Sequence, residues 1–175
     1  MRHIYNKWDT MQKVYIETTL FNFYFADKGR QYYGRTVRLC QDTKRFFEAV
    51  RVGLFEPYTS EYVEKEIKRS RSAERRDEML QLILDYDITV LPEDDETEWL
   101  AEKYIEAGAI PREKSDDAMH IAFTTVHGLD FIVSLNFEHI VKDKALRITA
   151  MVNEAEGYES IGIYEPGELI DGERP

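Results

Sequence analysis

Residues 131–135, FIVSL, are apolar almost without alternation and stop at Asn136. A strand with one wet face alternates apolar and polar side chains, so an unbroken apolar run marks a strand covered on both faces, as in a parallel sheet with helices on either side. The segment before it is helical by its signals. Ser115 is a helix cap, Asp116 and Asp117 fall in the first turn, and Gly128 can take the left-handed conformation that ends a helix over 115–127. Met119, Ala122, Phe123 and Val126 form one apolar stripe at three- and four-residue spacing, and Asp117, His120, Ile121 and Thr124 lie on the adjacent face. Asp117 and His120 therefore look the same way.

The rest of the chain repeats this alternation. VYIE is a short strand ended by Glu17; Thr18 and Thr19 cap the apolar LFNFYF, a short helix. A helix over 36–52 closes at Gly53. EPYTS is a second strand, leading through Thr59 or Ser60 as cap into a helix that carries Glu66. Further helices span 73–85 and 94–107 with the strand ITVL between them, and after FIVSL come a helix over 142–156, the strand SIGIY and the closing EPGELI. Strands alternating with helices give an α/β fold with a mostly parallel central sheet of about five strands. All 175 residues form one domain, with residues 1–12 as a loose leader and 26–35, bearing Gly29 and Gly34, as a flexible excursion.

Composition narrows the function classes. At 43% hydrophobic and 13% aromatic residues the chain can build a core. Its single cysteine, Cys40, excludes an internal disulfide and a cysteine-rich zinc site, and is a small core residue. No apolar run approaches the roughly 18 residues needed to cross a bilayer, and no basic-then-apolar leader precedes the first strand, so a soluble cytoplasmic protein without a membrane partner is expected. A formal charge of −11 argues against coating nucleic acid by bulk attraction. Any phosphate contact has to be local. The one dense basic segment, KEIKRSRSAERR, offers Lys68, Arg69 and Arg71, although such a run is equally a solvated helix end.

Parallel sheets bind ligands at the carboxyl ends of their strands. Glu17 ends the first strand, Ser60 follows the second, Asn136 ends the fourth, and Asp117 opens the helix before the fourth; Glu66, inside the helix after strand two, can point back over the same edge. Three carboxylates and an amide then converge. Clustered carboxylates resist ionising together unless a cation lies among them, and an oxygen-only donor set suits Mg²⁺ or Mn²⁺. Such an ion polarises a phosphoryl group and activates water, the chemistry of a metal-dependent phosphodiesterase. The chain carries no serine or cysteine nucleophile signature and no glycine-rich phosphate loop.

VYIETT, SEYVEKEI and DDAMHIAFTTVHGLDFIVSLNFEHI resemble the motifs of the PIN domain, in particular its VapC-like branch of toxin ribonucleases, over about residues 13–170. The resemblance implies a three-layer α/β/α sandwich, Mg²⁺- or Mn²⁺-dependent endoribonuclease activity, an antitoxin protein as partner, and a homodimer. It places the family's first three acids, the metal ligands, on Glu17, Glu66 and Asp117, and its fourth acidic position on Asn136, the four together forming the catalytic set. Two departures from the family pattern stand out. Glu17 is one methylene longer than the usual aspartate, which moves a bound ion by around an ångström and can cost ~100-fold in rate. Asn136 contributes a neutral oxygen where the family has a charge; Asp116 or Glu138 can compensate, and Ser134 is a candidate supporting residue behind the ligands.

Other readings stay open for the same residues. Asp117 can be an ordinary helix cap, Glu17 a strand-end charge, Glu66 an exposed helix residue and Asn136 a turn former. His120 reads as a buried, hydrogen-bonded histidine rather than a base. A phosphoacceptor receiver domain also has an acidic Mg²⁺ pocket on a parallel sheet, but it needs an aspartate ending a central strand and a lysine after the last, and neither ITVL nor SIGIY supplies them. A catalytically silent PIN-like module that acts by binding RNA or a partner protein remains the main alternative.

Overall fold

Five strands, all parallel, lie in the order β3-β2-β1-β4-β5: β1 (Gln12–Ile16), β2 (Phe55–Ser60), β3 (Thr89–Leu91), β4 (Phe131–Val133) and β5 (Gly162–Tyr164). This arrangement is seen in a computed structural model of the chain, which describes residues 11–26, 34–136 and 143–171. The expected excursion lies largely outside the described residues; of the two expected irregular segments, Gln12 in fact pairs with Phe55 in β1 and Arg35 already begins a helix. Helices connect every pair of strands: α1 (Thr18–Tyr24), α2 (Arg35–Arg51), α3 (Glu61–Lys68), α4 (Ala73–Asp85), α5 (Asp95–Glu106), α6 (Ser115–Val126), α7 (Asp143–Glu156) and, after β5, α8 (Pro166–Ile170).

The strand order has a mechanical consequence. From β1 the chain moves outward through β2 to β3, then returns past β1 to β4 and continues to β5 on the other side. Right-handed crossovers made in opposite directions put their helices on opposite faces of the sheet. The packing agrees: α1, α2, α3, α4 and α8 contact one another, and α5, α6 and α7 contact one another. The result is three layers, helices–sheet–helices, as expected. Where the direction reverses, between β1 and β4, the helices diverge and leave a crevice over the carboxyl ends of the strands.

β1 is the centre of the core, with Val14, Tyr15 and Ile16 all inaccessible to solvent. Val14 and Ile16 face one helical layer and Tyr15 the other, where its ring lies parallel to that of Phe123 at 6.1 Å. On the α1–α2 side Phe21, Phe46, Phe47 and Tyr24 pack edge to face at centroid separations of 5.1–6.0 Å. The second layer is tied by a buried polar knot in which Tyr104 of α5 donates to Asn153 of α7 at 2.6 Å, beside Thr125 of α6 at 3.0 Å.

Two local expectations need correction. Ser115 does not cap α6: a 3-10 turn over Arg112–Lys114 runs directly into the helix, so Ser115 already has helical angles and Lys114 stands at the cap without a side-chain bond. β4 is shorter than the apolar run suggested. Ser134 and Leu135 lie past the paired residues, and the Ser134 amide donates to the Tyr164 carbonyl at 3.1 Å. Among the described residues no helix is long and apolar enough to cross a membrane.

Candidate active site

Glu17 is the first residue past β1, and its extended backbone turns the chain from strand into α1. Its carboxylate is almost wholly buried, accepting hydrogen bonds from Thr19 of α1 and from Ser134, past the end of β4, at 3.0 Å. Adjacent parallel strands put their carboxyl ends side by side, so Glu17 and Ser134 meet although they are 117 residues apart. Thr19 Oγ1 also accepts the Leu135 amide at 3.0 Å, which fixes the backbone where β4 leaves the sheet.

Glu66 reaches the same place from α3. Ser60 ends β2 and accepts the Val63 amide at 3.3 Å, so α3 starts immediately at the sheet edge and Glu66 lies two turns along, facing inward. Its carboxylate accepts from Thr18 and from His120 Nε2 at 3.0 Å. The same imidazole nitrogen is 3.9 Å from Glu17 Oε1. His120 is thus the point on which the two glutamates converge, and its other nitrogen, Nδ1, is 3.1 Å from the Tyr15 hydroxyl, itself 2.7 Å from Ser60 Oγ.

Asp117, three residues before His120 in α6, is also buried, and its Oδ1 accepts from Asn136 Nδ2 at 2.8 Å. The Asn136 amide donates to Ser134 Oγ at 2.9 Å. A continuous path of hydrogen bonds therefore runs from Asp117 through Asn136 and Ser134 to Glu17, and Glu66 faces Glu17 across His120. The four residues expected to form a site lie together at the rim between β1 and β4, with Ser134 at the joint.

Electrostatics separate the two glutamates. Burial pushes the Glu17 carboxyl above the usual range, with His120 and Thr19 pulling it back and the charge of Glu66 raising it further. Burial acts on Glu66 in the same sense, but the hydrogen bond and charge of His120, with Thr18, carry it below the usual range. Burial works to lower His120, and the Glu66 carboxylate, followed by Glu17 and Asp117, overcomes this and raises it.

The remaining expected residues divide. Asp116 does not turn toward the glutamates; its carboxylate accepts from the Tyr62 hydroxyl and lies 3.8 Å from Arg69 Nη1. Arg69 is thereby placed beside the residue next to Asp117, near enough for its charge to act on Glu66. Lys68 is paired with Glu64 on its own helix at 3.0 Å, and Arg71 is exposed in the bend after α3. Glu138 lies outside the described residues. Thr18 and Thr19, read as helix caps, instead donate to the two glutamates. Their position directly after a strand-ending acid was the only local signal of that role.

An oxygen set of carboxylates and one amide has the donor chemistry of a hard divalent cation. Among the described residues, no three His, Cys, Asp or Glu side chains are grouped into a ready-made metal cage. Each carboxylate is held by a protein donor instead. Mg²⁺, which keeps several waters and takes one or two carboxylates plus substrate phosphate oxygens, asks for no more protein ligands than the Glu17–Glu66 pair offers.

No family model and no curated protein sequence matches the chain. Among solved structures, a chain in the crystal structure of VapBC2 from Rickettsia felis, bound to a DNA fragment from their promoter, has a similar fold. Its TM-score is 0.52 at 10% sequence identity, and the alignment covers 88% of this chain and 98% of that one. The α/β architecture is shared with that chain.

Proposed function

We propose that this protein is an Mg²⁺- or Mn²⁺-dependent endoribonuclease of the VapC-like kind. The observation that supports this reading best is the convergence of Glu17, Glu66 and the Asp117–Asn136 pair at the sheet's switch point, where α/β folds place their ligands. Glu17 and Glu66 would hold the ion, with Asp117 completing the carboxylate set and Asn136 orienting Asp117 or a water. A bound ion supplies Lewis-acid activation of the scissile phosphodiester and of the attacking water. The chain's own part is to present three acids in a water-poor rim, to keep Glu66 ionised through His120 and Thr18, and to hold Glu17 by Ser134 and Thr19. Arg69 beside Asp116, with Lys68 and Arg71 nearby in sequence, would take the RNA backbone.

A toxin role, an antitoxin protein as partner and action in the cytoplasm belong to this reading, and the fold shared with a chain of the VapBC2 structure agrees with it. A homodimer belongs to the same reading. The test is direct: D117N should stay folded by circular dichroism and lose RNA cleavage by at least ~100-fold, as should the wild type stripped of divalent ions by chelation. Cleavage that persists unchanged in D117N would refute the assignment of Asp117.

One observation favours a second reading, a silent module that binds RNA or a partner. Each of the three carboxylates already accepts from at least one protein donor, and no cage is preformed among the described residues. Calorimetric titration with Mn²⁺ separates the two: heat of binding at millimolar metal or below supports the nuclease, and its absence supports the silent module.

A further inference from the structure

His120 is buried to 1% exposure, on the face of α6 that it shares with the buried Asp117 and Thr124, and it is bonded on both ring nitrogens. A core histidine needs only one satisfied nitrogen partner per side, and backbone carbonyls or water serve that purpose. Here both partners are side chains, and they form a directed series. Ser60 Oγ accepts the Val63 amide, so its own proton is free to point at the Tyr15 hydroxyl 2.7 Å away. Tyr15 can then donate its proton to His120 Nδ1 at 3.1 Å, which leaves the proton on Nε2, facing Glu66 at 3.0 Å. A carboxylate oxygen at this distance accepts from the ring N–H. The neutral ring and the doubly protonated ring both present Nε2–H to Glu66.

We propose that His120 is a positioning residue for Glu66: Nε2–H aims the Glu66 carboxylate toward the rim it shares with Glu17, and Tyr15 with Ser60 holds the ring in that orientation. The inference rests on the nuclease reading for its consequence, since aiming Glu66 matters only where Glu66 serves an ion. The geometry explains why a helix already carrying Asp117 also carries a histidine one turn on. It ties three separate elements, β1 through Tyr15, the start of α3 through Ser60 and α6 through His120, to the direction of one carboxylate. Partners that orient a metal-binding side chain typically contribute 10- to 100-fold in metal affinity.

The test has two arms. In the first, long-range ¹H–¹⁵N spectra of the wild-type protein at neutral pH should show Nε2 of His120 carrying a proton. A pyridine-type Nε2 overturns the inference by itself and leaves the nuclease reading standing. In the second, Mn²⁺ calorimetry and RNA cleavage compare H120Q, whose amide nitrogen can reach the Nε2 position, with H120N, whose amide stops short of it. H120N is expected to bind Mn²⁺ ~10–100-fold more weakly and to lose kcat with KM for RNA unchanged, while H120Q retains both within a few-fold. Equal losses in the two variants would show that only packing is at stake, and wild-type behaviour in both would show an idle histidine; either result overturns the proposal. If H120N does not fold, Y15F, which deletes the hydroxyl behind the ring and touches neither carboxylate, should move kcat and Mn²⁺ affinity in the same direction. Wild-type protein with a protonated Nε2 that neither binds Mn²⁺ nor cleaves RNA sinks the nuclease reading and the positioning role with it.

Discussion

Thr19 does two things with one hydroxyl: it donates to Glu17 and accepts the amide of Leu135 at 3.0 Å. Valine has the same shape without the oxygen, so T19V leaves a partly buried amide and a buried carboxylate each short of a partner. Leaving such groups unsatisfied costs ~1–3 kcal/mol. Urea unfolding should register that loss for T19V and little of it for T19S, which keeps the hydroxyl; equal stability of the two variants would show that water replaces Thr19. Ser134 carries a comparable double duty between Glu17 and the Asn136 amide. At this scale the site is a set of carboxylates that accept from named neighbours: Thr19 and Ser134 for Glu17, Thr18 and His120 for Glu66, and Asn136 for Asp117.

Elements meet tightly at the C-terminal end of the chain, where α8 packs against α2. Asp42 of α2 is buried beneath Gly167, where an added Cβ would come within 2.9 Å of its Oδ2, and it is paired with Arg38 at 3.4 Å and Arg45 at 3.2 Å. Glu165 opens α8 with a capping box formed with Glu168. Partial burial, then repulsion from Glu168, pushes its carboxyl above the ordinary value of 4.5, and Arg35 and Arg38 only partly offset this. A carboxyl raised on folding contributes stability that is present in full below 4.5 and lost as pH rises through the folded value. E165Q keeps the capping acceptor and removes the charge. The Tm of E165Q relative to wild type should therefore climb between pH 4 and pH 7, and a flat difference across that range would contradict the repulsion.

At the scale of the whole molecule, a net charge of −11 sets how it can meet a polyanion. Each phosphate neutralised on a single strand contributes roughly −0.7 to the slope of log affinity against log salt, so three contacts from Lys68, Arg69 and Arg71 give a slope of about −2. Binding of a labelled RNA to the non-cleaving D117N variant at several salt concentrations reads that slope directly. A value beyond about −4 would require cations elsewhere on the surface, and a slope near zero would remove these three from the RNA path. The same scale explains the site's location. The sheet reverses direction between β1 and β4, and the acids gather where that reversal opens the rim.

Local signals were enough for much of this protein. The unbroken FIVSL run announced a doubly covered strand, the helix expected over 73–85 is α4, the start of α3 was narrowed to Thr59 or Ser60, of which Ser60 is the cap, and Gly128, at φ +61°, marked the end of α6. These are properties of neighbours along the chain, and near-neighbour sterics and hydrogen bonding decide them. The approximate site was legible too, because the ends of parallel strands share one edge whatever their order. Tertiary structure alone decided the rest. That Tyr15 would stand behind His120, 105 residues away, depends on strand register and on which layer α6 joins, and no local pattern encodes either. Thr18 and Thr19 look like caps until the fold brings Glu66 and Leu135 against them. Residue types and spacing determined which groups reach the rim; the packing of two helical layers on one sheet determined which of those groups touch.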